Sequence, residues 1–360
     1  MRLSELEEGC ANSMLNARCR VEWEDVDRPP TRIAFALPDA LGVAPHATPE
    51  AFLLAALAPA FAAGERRIHI DAPICELLEQ TLPSALAILH KWSPEDFSRT
   101  ESPVIETRGV RKHFGQNGRP SAAFYSGGVD STHLLLANAR DIPASHPSHI
   151  RHAISVYGFD IGGRTNSSEH ATYTRFLANA QPFTRSIGIR ILPLQTNLRH
   201  LDDRPGFWGR SFVGLALAAA AQALGDNFAL TWLATPGEEL SNTVQAPFGT
   251  HPSLAPYCNT LNSRIAMPYV EISRLARLAE ITRNTAALAA LRVCFCKDPG
   301  AMNCGLCEKC VRTQLGLRLH GIDPAPFFSG VNLDADLIDH TNIDSDSAAN
   351  MAREMLAHMQ

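Results

Sequence analysis

The sequence has no apolar run long enough to cross a bilayer. Its longest apolar stretches, at residues 51–63 and 212–224, fall well below the roughly 20 residues that a membrane-spanning helix needs. The opening residues, MRLSELEEGC, contain no apolar signal segment. These absences predict a soluble, cytoplasmic protein without a membrane partner.

The chain also lacks a surplus of positive charge. Its 32 lysines and arginines are outnumbered by 37 acidic residues, which gives a net charge of −5. Because phosphate-binding surfaces usually leave a basic excess, this balance disfavours a nucleic-acid partner. No internal repeat and no low-complexity run is present, and 45% hydrophobic residues in 360 suffice to bury a sizeable core.

The residue pattern divides the chain into four segments. Residues 1–115 combine strand-like stretches (RCRVEWED, RIAFAL, RRIHID) with helical ones, and predict a small α/β domain of unknown role. TPEAFLLAALAPAFAAG predicts a helix that a threonine caps and a glycine ends, and PICELLEQTLPSALAILHKW predicts helices on both sides of Pro83. The polar, glycine-containing stretch HFGQNGRPS then reads as a linker. The other three segments are a second α/β domain at 121–285, a cysteine-rich segment at 286–330 and a C-terminal tail at 331–360.

From residue 121 onward, apolar strands alternate with helices. SAAFY, HAISVYGF, IRILPL and FALTWLA read as strands, and the segments between them read as helices. This alternation predicts an α/β fold with a doubly wound, mainly parallel sheet. Ligands of such sheets bind outside the carboxyl ends of the strands, so the residues that follow each strand are the candidates for a site.

The first of these strands runs into S-G-G-V-D-S, which opens a helix. Gly127 and Gly128 allow a ligand to approach the backbone, and the hydroxyls of Ser126 and Ser131 are hydrogen-bond donors. Loop amides and a helix N-terminus together favour an anion such as phosphate. Asp130 would repel that phosphate unless a bound Mg²⁺ lay between them. A tight turn with a helix cap is the simpler alternative.

In sequence and setting, S-G-G-V-D-S resembles the PP-loop of the ATP pyrophosphatases. That superfamily includes GMP synthetase, NAD synthetase, asparagine synthetase, 7-cyano-7-deazaguanine synthase and tRNA thiolation enzymes. The resemblance implies the adenine nucleotide α-hydrolase-like fold, with ATP and Mg²⁺ as cofactors and cleavage between the α and β phosphates. It also implies that Asp130 and Ser131 are catalytic. The implied ATP-binding residues of the loop are Ser126, Gly127, Gly128, Val129, Asp130 and Ser131.

The ends of the later strands supply further candidates. In the superfamily the residues after the second strand line the adenine and ribose pocket, which points to Phe159 and Asp160; a core phenylalanine and a turn aspartate are equally compatible. Polar residues near the other strand ends are candidates for binding the substrate: Asn197, Arg210, Glu238, Glu239 and His251. A polar loop at Asn197 and a solvated acidic loop at the two glutamates remain open alternatives.

Five of the nine cysteines crowd into residues 294–310. Cys304, Cys307 and Cys310 form C-x2-C-x2-C, a spacing that predicts a tetrahedral Zn²⁺ site, with a redox pair or an iron–sulfur cluster as open alternatives. The fourth ligand comes from upstream: Cys294 is preferred because it ends the apolar stretch LRVC, and Cys296 is the alternative. The cluster resembles the zinc site of 7-cyano-7-deazaguanine synthase, and with four protein ligands its zinc would be structural.

These motifs support three hypotheses of function. The leading one is an ATP-dependent ligase, 7-cyano-7-deazaguanine synthase-like, that adenylates a small-molecule carboxylate or carbonyl for attack by a nitrogen nucleophile. The second is a sulfurtransferase that thiolates a heterocycle or tRNA, with Cys296 as the candidate sulfur carrier and Cys258 a poor second. The third is an ATP-binding sensor or defence module. An ammonia or sulfur donor protein and a homodimer are left open as partners.

Overall fold

A computed structural model describes residues 1–163, 168–234, 249–294, 301–329, 333–343 and 346–358. Its strands are β1 (Arg2–Ala11), β2 (Met14–Glu22), β3 (Thr31–Pro38), β4 (Arg67–Ile70), β5 (Ile74–Cys75), β6 (Val104–Glu106), β7 (Val110–Arg111), β8 (Ser121–Phe124), β9 (Ile150–Phe159), β10 (Ile161–Gly162), β11 (Arg190–Thr196), β12 (Leu230–Trp232) and β13 (Arg264–Ala266). Its helices are α1 (Pro49–Ala63), α2 (Glu76–Trp92), α3 (Val129–Asp141), α4 (Ser168–Ser186), α5 (Pro205–Phe207), α6 (Val213–Ala223), α7 (Arg274–Ile281), α8 (Thr285–Ala289), α9 (Glu308–Leu319), α10 (Ala335–Asp339) and α11 (Asp346–His358). A π-helical turn, Trp208–Phe212, joins α5 to α6.

One large, mostly parallel sheet organises this α/β fold. Its strand order is β13-β12-β8-β9-β11-β3-β2-β1-β4-β6, with β10 paired to β9. The five strands from β13 to β11 are all parallel to one another. Parallel neighbours need crossover connections, and helices such as α3, α4 and α6 supply them. The mainly parallel sheet predicted from the alternation of strands and helices is therefore confirmed.

Helices cover both faces of this sheet. Alternate residues of β8 point to opposite faces, because side chains alternate along a strand. Ala122 and Phe124 belong to one apolar cluster, which also contains side chains of α1, α2 and α6. Ala123 and Tyr125 belong to a second cluster, which contains side chains of α4, α7, α9 and α11. The parallel part of the sheet around β8 is thus buried on both faces, as expected for parallel strands, whereas β1 is largely exposed.

The N-terminal strands continue the same sheet. β3 pairs antiparallel with β11, matching Phe35 with Thr196, and leads through the antiparallel strands β2 and β1 to the parallel strands β4 and β6. On the covered face, α1 packs against α6. The segments before and after the predicted boundary near residue 115 therefore contribute strands to the same sheet.

Local sequence signals explain the helix ends of the N-terminal segment. Thr48 caps α1 through a hydrogen bond from the Ala51 N–H at 3.4 Å, and the helix ends at Gly64, whose φ is +85°. Pro83 was expected to separate two helices, but α2 continues through it. Pro83 is exposed, so the backbone hydrogen bond that it removes lies on the solvent side of the helix. The exposed, glutamate-rich strand β1 was not predicted.

None of the described helices is both long and apolar enough to span a membrane.

Candidate functional site

The S-G-G-V-D-S loop lies where the order in which strands are added to the parallel sheet reverses. The strand before it, β8, has β9 on one side and β12 on the other. The chain runs from β8 through β9 to β11 in one direction, and β12 and β13 fill the other side. At such a switch point the connections diverge and leave a crevice at the carboxyl ends of the strands, where ligands of these sheets bind.

Gly127 makes the turn out of β8. Its φ of +79° lies in the left-handed region, which side chains rarely adopt. A Cβ at this position would also lie 2.6 Å from Cε2 of Phe176. The Gly127 carbonyl accepts a hydrogen bond of 2.8 Å from the backbone N–H of Arg292. Both conformation and space therefore require glycine here, and the loop is fastened to the segment that precedes the cysteine cluster.

Two serine hydroxyls hold the loop in shape. Ser126 donates its N–H to Oγ of Ser131 at 3.3 Å, and the two Oγ atoms lie 3.2 Å apart. Ser131 Oγ also lies 3.2 Å from the carbonyl of Gly128, to which it donates. Gly128 is the N-cap of α3 and has no side chain that could cover the helix N-terminus, and its N–H donates to Oγ of Ser126 at 3.4 Å. A pre-shaped turn at this positive helix end is suited to an anion.

Asp130 forms ion pairs with two arginines of α7. Its Oδ2 lies 2.6 Å from Nη2 of Arg274, and its Oδ1 lies 2.8 Å from Nη1 of Arg277. Burial acts to raise the pKa of Asp130, but the two guanidinium groups outweigh it and hold the pKa well below its usual range. Asp130 is therefore an anion at neutral pH, and it fastens α7 to the start of α3.

The backbone next to α7 adopts an uncommon conformation to complete this arrangement. Nη2 of Arg277 donates to the carbonyl of Tyr269 at 2.6 Å, and Tyr269 has a φ of +58°. A bulky residue in the left-handed region is strained, and such strain persists only where surrounding contacts impose it. The Asp130–Arg277–Tyr269 chain is such a set of contacts, and it fixes a guanidinium that is only 2% exposed.

Arg292 borders the loop on its other side. Its guanidinium lies 6.0 Å from the ring centroid of Phe176, the ring that packs beneath Gly127. Burial lowers the pKa of Arg292, and the charge of Asp160 acts in the opposite direction. Arginine keeps its proton under such a shift. A partly buried positive charge therefore lies between the glycine turn and the end of β9.

Lys309, on the first turn of α9, is the next cation of this region. It lies within electrostatic range of Asp130, Asp160 and Arg274. Burial, followed by the charge of Arg274, lowers the pKa of Lys309 to about 8. The sequence pattern gave no sign of a role for Lys309, which stands between Cys307 and Cys310, whereas the fold brings it to the charged groups around the loop.

Four cysteine sulfurs form a compact group beside the loop. The Sγ atoms of Cys294, Cys304, Cys307 and Cys310 all lie within 4.8 Å of one another. Two of the separations, Cys304 to Cys310 and Cys307 to Cys294, are 3.9 Å. Four thiolates on one tetrahedral Zn²⁺, with Zn–S bonds of about 2.3 Å, would have sulfurs about 3.8 Å apart. The cluster therefore has the donor set and the spacing to hold a metal ion such as zinc.

Backbone amides support this donor set. Cys304 Sγ accepts hydrogen bonds from the N–H groups of Leu306 and Cys307, at 3.4 and 3.3 Å, and Cys294 Sγ accepts from Cys304 N–H at 3.4 Å. Such bonds favour thiolate over thiol. The pKa of Cys310 is strongly raised, first by its hydrogen bond with Cys307 and then by burial. Four thiolates this close together therefore need a cation among them.

Asn303 ties the cluster to the chain that passes the loop. Its Oδ1 accepts from Val293 N–H at 2.9 Å, and its Nδ2 donates to the carbonyls of Leu291 and Phe327 at 2.9 and 3.1 Å. These bonds fix the segment on both sides of Arg292. Because Arg292 N–H reaches Gly127, the cysteine cluster and the glycine turn are parts of one hydrogen-bonded assembly.

Phe159 and Asp160 were predicted to lie near adenine and ribose. Phe159 is 6% exposed and packs against Trp208, with ring centroids 5.1 Å apart. Its carbonyl accepts a hydrogen bond of 2.7 Å from Arg199. Asp160 is exposed at the end of β9, on the side of Arg292 and Lys309. Of the two, Asp160 is the one whose side chain is accessible next to the loop.

Two substrate-side candidates make structural contacts elsewhere. The side chain of Asn197 joins β11 to β3: its Oδ1 accepts from Ala34 N–H and its Nδ2 donates to the Arg32 carbonyl, both at 2.9 Å. Arg210, in the π-helical turn, lies 2.5 Å from Asp96 of the N-terminal segment. The strand order places the first of these contacts beyond β9, on the far side from the loop.

Of the remaining candidates, only His251 lies among the described residues. His251 lies edge-on to Trp92, with ring centroids 5.1 Å apart, and lines a mainly apolar cavity with Thr250 on the α6 face. Glu238, Glu239 and Cys296 lie outside the described residues.

Sequence reasoning missed the cations that surround the loop: Arg274, Arg277, Arg292 and Lys309. The signal in SRLARLAEI was available, since arginines three residues apart share one face of a helix. Nothing in the sequence, however, indicates that this face meets Asp130.

Comparisons with protein-family models, curated proteins and solved structures gave no match to this chain. The fold and site by themselves define an α/β protein with a large, mostly parallel sheet, a glycine turn at its switch point and an adjoining four-cysteine cluster that could hold a metal ion.

Proposed function

We propose that the protein is an ATP-dependent ligase of the ATP pyrophosphatase type, which forms a C–N bond through an acyl-adenylate. The observation that carries the proposal is the pre-shaped S-G-G-V-D-S turn at the switch point, bordered by Arg274, Arg292 and Lys309. A turn at a helix N-terminus surrounded by cations suits the phosphates of a nucleotide, in a chain whose net charge is −5.

In the proposed reaction the acceptor carboxylate or carbonyl oxygen attacks the α-phosphorus of ATP, and pyrophosphate leaves. A nitrogen nucleophile then displaces AMP. The loop amides and the hydroxyl of Ser126 would hold the departing pyrophosphate, and Ser131 would keep the loop in shape through its bonds to Ser126 and Gly128. Arg274 and Lys309 would offset the negative charge that develops as the bond to it breaks. Mg²⁺ would enter with the ATP phosphates and add to the same charge compensation.

We also propose that zinc is the ion of the cysteine cluster and that it has a structural role. All four tetrahedral positions are filled by protein sulfurs, which leaves none for a reacting water. Thiolate ligands of this kind suit a reducing compartment, in agreement with a cytoplasmic protein.

Incubation with MgATP and a competent acceptor is expected to release AMP and pyrophosphate. ³¹P NMR of the reaction distinguishes this outcome from hydrolysis at the γ-phosphate, which gives ADP and phosphate. Release of ADP and phosphate alone would show that the loop does not act as proposed.

The setting of Cys258 makes it unsuited to carry sulfur, whereas Cys296, the first candidate for a sulfur carrier, lies outside the described residues. Its thiol is 1% exposed and lies 3.7 Å from the Leu254 carbonyl, and burial raises its pKa to about 12. A sulfur carrier must be an accessible thiolate, so Cys258 does not meet the requirement.

A Cys258→Ala, Cys296→Ala double variant that keeps its metal is therefore expected to turn over at the wild-type rate. The measurement is AMP formation together with metal content. A variant that still binds ATP but has lost turnover would support sulfur transfer instead.

A further inference from the structure

Lys309 occupies a place that the sequence pattern does not explain. It belongs to the C-x2-C spacer between Cys307 and Cys310, where a zinc site needs only a short linker of any polar residues. Yet the fold brings this side chain within electrostatic range of Asp130, Asp160 and Arg274, the charged groups around the glycine turn.

The packing of α9 accounts for this position. α9 lies directly against α7: a Cβ added at Gly316 would come within 2.7 Å of Leu278 Cδ2. α7 carries Arg274, which holds Asp130. At its N-terminal end, α9 is bounded by the cysteine cluster, whose member Cys294 lies two residues from Arg292, the residue bonded to Gly127. α9 is therefore fixed by the cysteine cluster at its start and by α7 towards its C-terminal end.

The cations of this region outnumber the carboxylates among the described residues. Two of the carboxylates have arginine partners, Asp130 with Arg274 and Arg277, and Glu308 with Arg312 at 3.0 Å. The cations are Arg274, Arg277, Arg292, Lys309 and Arg312, and the carboxylates are Asp130, Asp160 and Glu308. A Zn²⁺ held by four thiolates would add a charge of −2 nearby and offset this difference. What favours an anion is therefore the placement of individual cations, Arg274, Arg292 and Lys309, next to a glycine turn at a helix N-terminus.

We propose that Lys309 is a direct ligand of the phosphate groups bound at the S-G-G-V-D-S loop, and that the cysteine cluster positions it there by fixing the residues on both sides. The inference rests on the proposed function, because it takes the loop to be a phosphate site. Lysine binds phosphate as a point charge on a long, flexible stem. In this chain the cation comes from the metal-binding segment, since the loop itself contains no lysine.

The scarcity of lysine makes the proposal directly testable. The chain has four lysines, Lys91, Lys112, Lys297 and Lys309, and the first two are exposed. The full-length, zinc-loaded protein is treated with a limiting amine-acetylating reagent, with and without MgATP, and acetylation is measured for each lysine by peptide mass spectrometry. MgATP is expected to slow acetylation of Lys309 at least about fivefold and to leave Lys91 and Lys112 unchanged. Adenosine, which has no phosphate, is expected to protect none of them.

Binding measurements on variants complete the test. Lys309→Met is expected to weaken MgATP binding, measured by calorimetry, by about tenfold or more, the effect of losing one hydrogen bond to a charged group. Its zinc content should remain at the wild-type value. Lys112→Met, which removes an equal charge from an exposed pair with Glu76, should bind MgATP like the wild type. Should Lys309→Met fail to fold, the labelling of the wild-type protein decides alone.

The outcomes separate this inference from the proposed function. If the wild-type protein does not bind MgATP, the proposed function fails and the role of Lys309 fails with it. If the wild type binds MgATP but Lys309 is acetylated equally with and without it, the phosphate site stands and the assignment of Lys309 is overturned.

Discussion

Replacing Cys310 by serine is expected to remove the bound metal and much of the stability of the protein. Cys310 is fully buried, and its sulfur lies 3.9 Å from that of Cys304. Binding energy at a structural zinc site is folding energy, because the unfolded chain has no such site. We expect the zinc content to fall from about one per chain to near zero, and the free energy of unfolding to fall by about 4 kcal/mol or more. Elemental analysis and denaturant titration measure the two effects.

Cys258→Ser is the matched control for this experiment. Cys258 is also buried, but its sulfur contacts the Leu254 carbonyl and is not part of the cluster. This control variant is expected to keep its zinc and to lose much less stability. One zinc per chain retained in Cys310→Ser would contradict the assignment of the metal site.

The same measurement identifies the fourth ligand. Cys294→Ser is expected to behave like Cys310→Ser, because the structure groups its sulfur with the other three. Cys296→Ser is expected to keep the metal. The reverse pattern, with metal retained in Cys294→Ser and lost in Cys296→Ser, would transfer the role to Cys296.

Replacing Asp130 by asparagine is expected to abolish most of the activity. The variant keeps the shape of the side chain but removes the charge that Arg274 and Arg277 contact. Without it, the guanidinium groups lose the partner that sets their positions beside the loop, and any Mg²⁺ carried by the nucleotide loses a nearby carboxylate. We expect AMP formation to fall about a hundredfold or more. Because the Arg277 side chain is only 2% exposed, we also expect a loss of about 3 kcal/mol in stability.

Glu280→Gln is the control for Asp130→Asn. Glu280 lies on the same helix, α7, and also pairs with an arginine, since its Oε2 lies 2.6 Å from Nη1 of Arg140. It has no contact with the loop among the bonds of the described residues, so AMP formation should be unchanged. Wild-type turnover in Asp130→Asn would exclude the loop carboxylate from the chemistry.

Much of the fold could be predicted because its signals are local. The alternation of apolar strands and helices from residue 121 onward predicted the parallel sheet, and the threonine and glycine around α1 predicted the bounds of that helix. Prediction failed where a local signal was outweighed by surroundings. Pro83 lies within α2 and not between two helices, because the hydrogen bond that it removes faces solvent.

Candidate substrate residues were harder to identify than the loop. Asn197 directly follows β11 and Arg210 precedes α6, positions near strand ends where ligands of such sheets bind. Their side chains nevertheless contact β3 and Asp96. A polar residue near a strand end can bind a ligand or another part of the chain, and sequence position does not distinguish the two. The arginines that reach Asp130 were missed for the same reason.

The sequence by itself determined the glycine turn, the caps of α1 and the spacing of the cysteines, because each depends on residues a few positions apart. Gly127 can adopt its left-handed φ whatever the rest of the chain does, because glycine has no side chain. The spacing of the C-x2-C repeat likewise depends only on neighbouring residues. Only the tertiary structure decided that Arg274 and Arg277 reach Asp130, across 144 and 147 residues, and that Arg292 reaches Gly127. Those contacts exist because α7 and α9 bury their apolar faces in the same cluster as Ala123 and Tyr125 of the sheet. Since the hydrophobic effect has no preferred direction, the sequence pattern of an apolar face does not say which part of the core the face will contact.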